Sequence, residues 1–170
     1  ADLVIAVGYD LVEFSPSSWN RARATRIVHI DTFPAHTNKC YQCAVEVVGD
    51  MAESLCNISR HAERKTEPEF AMKLKERFIF EKKAYDNDDS FPMKPQRILS
   101  DVRKVLGRDD ILISDVGAHK MWIGRLYDCY KPNTCIISNG FAAMGIGVPG
   151  AVAAKLMNPD RKILTITGDG

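Results

Sequence analysis

Three stretches of the sequence combine glycine with polar groups directly after apolar runs: Asp115-Val116-Gly117-Ala118-His119, Ser138-Asn139-Gly140-Phe141-Ala142-Ala143-Met144-Gly145, and Gly168-Asp169-Gly170. In an open parallel sheet, ligands bind at the carboxyl ends of the strands, where backbone amides and helix N-termini converge. Gly117 lets the backbone come close to a ligand, and the free amides opening the next helix receive phosphate. Asp169, between two glycines at a strand end, suits Mg²⁺, which takes one or two protein carboxylates and completes its octahedron with phosphate oxygens and water. The same aspartate also reads as a helix N-cap. His119 reads as a phosphate contact or as a structural cap.

Two other motifs carry less. Gly145-Ile146-Gly147-Val148-Pro149-Gly150 matches the dinucleotide fingerprint formally, but that fingerprint belongs in the turn straight after a strand. Here the strand ends near Ser138, so close packing of the next helix explains the glycines better. Cys40-Tyr41-Gln42-Cys43, with His36 nearby, lacks the second cysteine pair that a zinc site needs. Neither a nucleophile-elbow serine nor a histidine-glutamate zinc motif occurs, so hydrolase chemistry has no support.

Loops of this kind need strands to hold them. Aliphatic runs at Leu3–Val7, Arg26–Ile30 and Val45–Val48 read as parallel strands, the first buried on both faces, and Asp50 caps a helix to about Arg60. Residues 60 to 89 are densely charged, with Phe70, Leu74, Phe78 and Tyr85 near helical spacing: an amphipathic, mostly exposed helix, then a linker at Asn87–Pro92. Beyond it, helix and strand alternate. Helices near Lys94–Leu106, His119–Cys129 and Ala143–Met157 lead to strands Ile111–Ser114, Thr134–Ser138 and Lys162–Thr167. The fold class is α/β, with a doubly wound parallel sheet. The expected divisions are residues 1–62 from one α/β domain, 63–92 as charged helix and linker, and 93–170 from a second. Because the chain starts inside a strand and stops at a strand's end, it reads as an excerpt with both domains incomplete.

With 23 basic against 22 acidic residues among 170, the formal net charge is +1. No global field draws the chain to nucleic acid or an anionic membrane. Nothing in it resembles a membrane span or a signal peptide, and five scattered cysteines argue against a secreted disulfide framework, so the expected location is cytoplasmic.

The three loops together resemble those of acetolactate synthases, thiamine-diphosphate-dependent enzymes. Gly168-Asp169-Gly170 is similar to the opening of the thiamine diphosphate motif, and Asp115–Trp122 and Ser138–Pro149 are similar to the matching loops. Ala1–Val7 and Arg26–Asp31 resemble the end of the family's central domain. Val7-Gly8-Tyr9-Asp10-Leu11-Val12-Glu13-Phe14, followed by Pro16 and Trp19-Asn20, looks like the catabolic type. An arginine-phenylalanine-aspartate-aspartate-arginine stretch, associated with FAD in the biosynthetic enzymes, is missing there, so FAD is not expected.

The resemblance implies an enzyme that decarboxylates pyruvate and condenses it with a second pyruvate, giving 2-acetolactate and carbon dioxide. It implies thiamine diphosphate and Mg²⁺ as cofactors and a homo-oligomer, dimer or tetramer, as the working form. By position, Gly117, Ala118 and His119 would hold the diphosphate and Asp169 the Mg²⁺, with Gly168 and Gly170 allowing close approach. Met144 would wedge between the cofactor rings, and the Ala142 carbonyl would accept from the aminopyrimidine. Ala118 departs from the glutamine of biosynthetic relatives. The activating glutamate would belong to an N-terminal domain, so these 170 residues are expected to be inactive alone. Another thiamine-dependent 2-keto acid decarboxylase or carboligase is the alternative, and a nucleotide-binding α/β module a more distant one.

Overall fold

A computed structural model describes residues 1–11, 14–63 and 68–168. Asp169 and Gly170 therefore lie outside the described residues, as do Val12, Glu13, Arg64, Lys65 and Glu67 of the stretches quoted above. The chain forms two compact units, Ala1–Thr66 and Glu67–Gly170.

In the first unit, β1 (Leu3–Val7), β2 (Arg26–Asp31) and β3 (Cys43–Val48) form a parallel sheet in that spatial order. A short helix α1 (Pro16–Trp19) lies between the first two strands, and α2 (Met51–His61) follows the third. Asp50 caps α2, its side chain accepting from the Glu53 amide at 2.8 Å. Strand β2 is central and supplies the core residues Ile27 and Ile30, both fully buried. The expectation that β1 is buried on both faces fails. Leu3, Ile5 and Val7 are 40 to 51% exposed, because helix or loop among the described residues covers only the face carrying Ala6.

No helix bridges β2 and β3. The connecting loop instead inserts Tyr41, 1% exposed, against Tyr9, Trp19 and His29. His29 is itself buried, with Nε2 3.3 Å from the Phe33 carbonyl and Nδ1 2.9 Å from the Tyr41 hydroxyl. A carbonyl only accepts, so Nε2 carries the proton and Nδ1 accepts from the tyrosine. Burial pushes the Tyr41 hydroxyl well above its ordinary value, which keeps that proton in place.

The second unit opens with α3 (Glu69–Lys83), which buries no residue and runs exposed as expected. Then come α4 (Pro95–Val105), β4 (Ile111–Ser114), α5 (Ala118–Leu126), β5 (Cys135–Ile137), α6 (Gly147–Met157) and β6 (Ile163–Ile166). The strands are parallel in the order β5-β4-β6. The chain crosses from β4 to β5 in one direction and from β5 over β4 to β6 in the other. Right-handed crossovers therefore place α5 and α6 on opposite faces, a doubly wound arrangement whose loops diverge where the winding reverses. All four β4 residues are buried, and Leu112 packs with Leu99, Leu106, Ile123 and Tyr127.

Helix α6 starts at Gly147, four residues later than the apolar pattern predicts. Gly140, Ala142 and Gly145 have φ of 72°, 47° and 87°, left-handed backbone that no α-helix accommodates. Truncating Leu112 to alanine should destabilise the second unit by about 2–5 kcal/mol, because a fully buried branched side chain leaves a cavity that the sheet cannot close. Urea denaturation of the intact protein measures it.

Candidate functional site

Strand β4 ends in Asp115, and the chain then turns through Val116 and Gly117 into α5. Gly117 adopts φ 157° and ψ −173°, a region open essentially to glycine alone. The His119 ring fills the space that a side chain at 117 would need, with Cε1 2.7 Å and Nδ1 2.9 Å from an ideal Cβ. His119 Nε2 lies 2.9 Å from the Asp115 carbonyl and donates to it. Turn and imidazole thus fix each other.

Gly117 caps α5 without any side-chain hydrogen bond. The first amides of a helix lack intrahelical partners and carry the positive end of its dipole. A cavity of about 400 Å³ opens beside them, lined by Gly117, Ala118 and His119 from this turn, Thr167 and Gly168 past the end of β6, and apolar side chains including Trp122. It lies between the carboxyl ends of β4 and β6, at the reversal of the winding. Such a cradle favours a phosphate-bearing ligand with an apolar portion.

The second expected loop is held beside the first by Asp115, which is 4% exposed. Oδ1 accepts from the amides of Val116 at 2.7 Å and Gly145 at 2.9 Å, and Oδ2 from that of Gly147 at 2.8 Å. These bonds, with that of Val116 foremost and Gly147 next, hold the carboxyl below the ordinary aspartate value of 3.8 against the opposing effect of burial. Gly147 is buried, and a Cβ there would sit 2.7 Å from Thr165 Oγ1 and 2.9 Å from Asp115 Oδ2. The glycine run thus has a packing explanation at Gly147, with no ligand required.

Of the expected site residues, Gly117, Ala118, His119 and Gly168 line the one cavity. Ala142 and Met144 do not line it. They sit on the loop that Asp115 tethers, and Met144 is 85% exposed. Asp169 and Gly170 are outside the described residues. Among the described residues, no group of three or more His, Cys, Asp or Glu side chains gathers to hold a metal ion, Cys40 and Cys43 are free thiols, and no helix is long and apolar enough to cross a membrane. The role of Asp115 is not recoverable from the sequence, since its donors at Gly145 and Gly147 lie 30 and 32 residues away.

Comparison with known proteins bears on both units. Residues 1–58 match the central domain of thiamine pyrophosphate enzymes, and residues 115–170 match their C-terminal TPP binding domain. Over its whole length the chain is 33% identical to the catabolic acetolactate synthase of Raoultella terrigena, 29% to the acetolactate synthase of Bacillus subtilis and 32% to the acetolactate synthase large subunit of Corynebacterium glutamicum. It spans 31%, 30% and 28% of those proteins respectively.

Two outcomes follow from the geometry. Gly117→Ala should destabilise the protein by about 1–3 kcal/mol, since alanine resists this backbone and collides with His119; thermal and urea unfolding check it. Asp115, with its folded-state pKa depressed, stabilises the fold fully above pH 3.8, and that contribution disappears as pH falls through the lower folded-state value. The gap in urea midpoint between the parent and Asp115→Asn should therefore be widest near neutrality and narrow once the pH drops below 3.8.

Proposed function

We propose that this chain, which belongs to the thiamine pyrophosphate enzymes, is part of an acetolactate synthase that joins two pyruvate molecules into 2-acetolactate with loss of carbon dioxide. One observation carries the reading. The cavity at the α5 N-terminus, floored by a glycine that admits no side chain, is lined mainly by residues of the stretch matching the TPP binding domain, with Pro95, Ile98 and Leu99 added from α4.

The residues present fit a diphosphate ester. The amides at Gly117, Ala118 and His119 open a helix without a side-chain cap, Gly168 adds no bulk, and Trp122 and Ile98 supply an apolar wall. When bound, thiamine diphosphate supplies the nucleophilic carbon and the electron sink for decarboxylating a 2-keto acid. The protein's part is to hold and orient. The α5 amides would neutralise diphosphate charge, and the Asp169 carboxylate would supply a ligand to Mg²⁺. Position 170, like 168, is a glycine and so brings no side chain to that approach. On the tethered loop, the Ala142 carbonyl would accept a hydrogen bond from the aminopyrimidine. Met144 would place a flexible, polarisable side chain between the rings, suited to an irregular gap.

Phe141 and Met144 are almost wholly exposed in this chain, which supports a homo-oligomer in which another subunit covers the loop. FAD is not expected in the proposed enzyme, since Val7–Phe14 lacks the arginine-phenylalanine-aspartate-aspartate-arginine stretch that its resemblance to biosynthetic synthases would require there. Its expected compartment is the cytoplasm, with no nucleic-acid partner.

Calorimetric titration of the intact protein with thiamine diphosphate and Mg²⁺ should show saturable binding, and pyruvate should then yield 2-acetolactate. Asp169→Ala should abolish Mg²⁺-dependent cofactor retention; full retention at limiting Mg²⁺ would contradict the metal assignment. Met144→Ala should lower turnover by about tenfold, the order of one lost orienting contact. An unchanged rate would remove the wedge role.

A further inference from the structure

We infer that Asp115 is a positioning residue for cofactor recognition: its carboxylate clamps Gly145 and Gly147, and through them presents the loop that carries Ala142 and Met144. This inference deepens the function proposed above and rests on it.

The path of the loop from Ser138 to Ile146 is not set by regular secondary structure. It contains no helix or strand, and its backbone enters the left-handed region at Gly140, Ala142 and Gly145. Ala142 pays for that conformation without the freedom of glycine, so the loop needs external restraint. Asp115 supplies it at the loop's far end, with both carboxylate oxygens committed to amides. At the near end, Lys120 Nζ reaches the Ser138 carbonyl at 3.4 Å. Both restraints come from the β4–α5 segment, the same segment whose amides line the cavity. One piece of chain therefore sets the diphosphate cradle and the loop assigned to the rings.

Chemistry makes the carboxylate specific. All three partners are N–H donors, so the site needs two acceptor oxygens. Asparagine offers one, and its amide nitrogen would face an N–H, leaving a buried donor unsatisfied. Asp115→Asn is nearly isosteric, which makes it a probe of the clamp that changes little volume.

The test uses the intact protein in two steps. Without cofactor, hydrogen exchange in the parent should protect the Gly145 and Gly147 amides, and Asp115→Asn should remove that protection; unchanged protection in the variant overturns the clamp. With Mg²⁺ present, thiamine diphosphate affinity by calorimetry should fall about tenfold in Asp115→Asn, on the scale of one charge-assisted hydrogen bond. Adding Met144→Ala to Asp115→Asn should cost less than it does in the parent, since the wedge is already misplaced. Parent-like affinity or strict additivity overturns the positioning role, because a purely structural residue would not couple to Met144. Where Asp115→Asn fails to fold, Gly145→Ala tests the same tether. Its Cβ meets nothing within 4 Å, but φ 87° disfavours it. It should weaken binding about threefold with the same coupling to Met144, and parent-like affinity overturns the proposal. A parent protein that exchanges as expected but binds no thiamine diphosphate defeats the functional reading, and this inference with it, while leaving the clamp itself demonstrated.

Discussion

Everything in the second unit turns on a buried carboxylate that must be solvated by backbone. Taking the Asp115 charge out of water is costly unless several donors meet it, and the fold meets it with three amides from two segments. That need dictates the neighbourhood. The start of α6 must come close enough for the Gly147 amide to reach, and this distance leaves no room for a Cβ at 147. Two helix N-termini of opposite windings meet at the end of β4, and Asp115 places a fixed anion on one of them. The α5 terminus borders the cavity instead, so the two differ chemically despite similar geometry: one is neutralised by Asp115, and the other faces the cavity.

The parallel framework was readable from the sequence because largely apolar runs ending in glycine or aspartate have few other uses. Ile111–Ser114 and Lys162–Thr167 announced the strands on either side of the cavity to within a residue or two. Asp50 announced the start of α2 through local capping, which depends on neighbours three residues away. The start of α6 was less legible. Ala142 and Ala143 are good helix formers, and nothing local reveals that Ala142 sits at φ 47°. The carboxylate that fixes the far end of the loop, at Gly145 and Gly147, lies far back in the sequence, so that information is tertiary. The burial of β1 was misread for a related reason: an aliphatic run states what a strand can bury, while coverage depends on elements that the run does not contain.

The first unit solves a different problem. Its β2–β3 connection has no helix to cover the sheet, and an aromatic cluster does that work. Tyr41 is the centre of it, in contact with three other rings, and its hydroxyl requires a partner once buried. His29 meets that requirement only as the tautomer that the Phe33 carbonyl selects. The sequence shows Cys40-Tyr41-Gln42-Cys43 as a cysteine motif; in the fold, the residue that matters there is the tyrosine.

Charge is where the two scales of the molecule separate. A net charge of +1 gives no long-range attraction for a polyanion, and among the described residues the cavity lining contains no lysine or arginine. Recognition of a diphosphate at this cavity, as proposed above, would rest on short-range dipoles: helix amides and close backbone approach at Gly117 and Gly168. Such dipoles are preorganised by covalent structure, so they act without the side-chain ordering that a lysine cluster would demand. Their weakness is positional. An amide that points a little away contributes little, which makes the Gly117–His119 interlock and the Asp115 tether more consequential than any single contact to the ligand. In a site of this kind the residues that set backbone direction govern affinity, and most of them never touch what is bound.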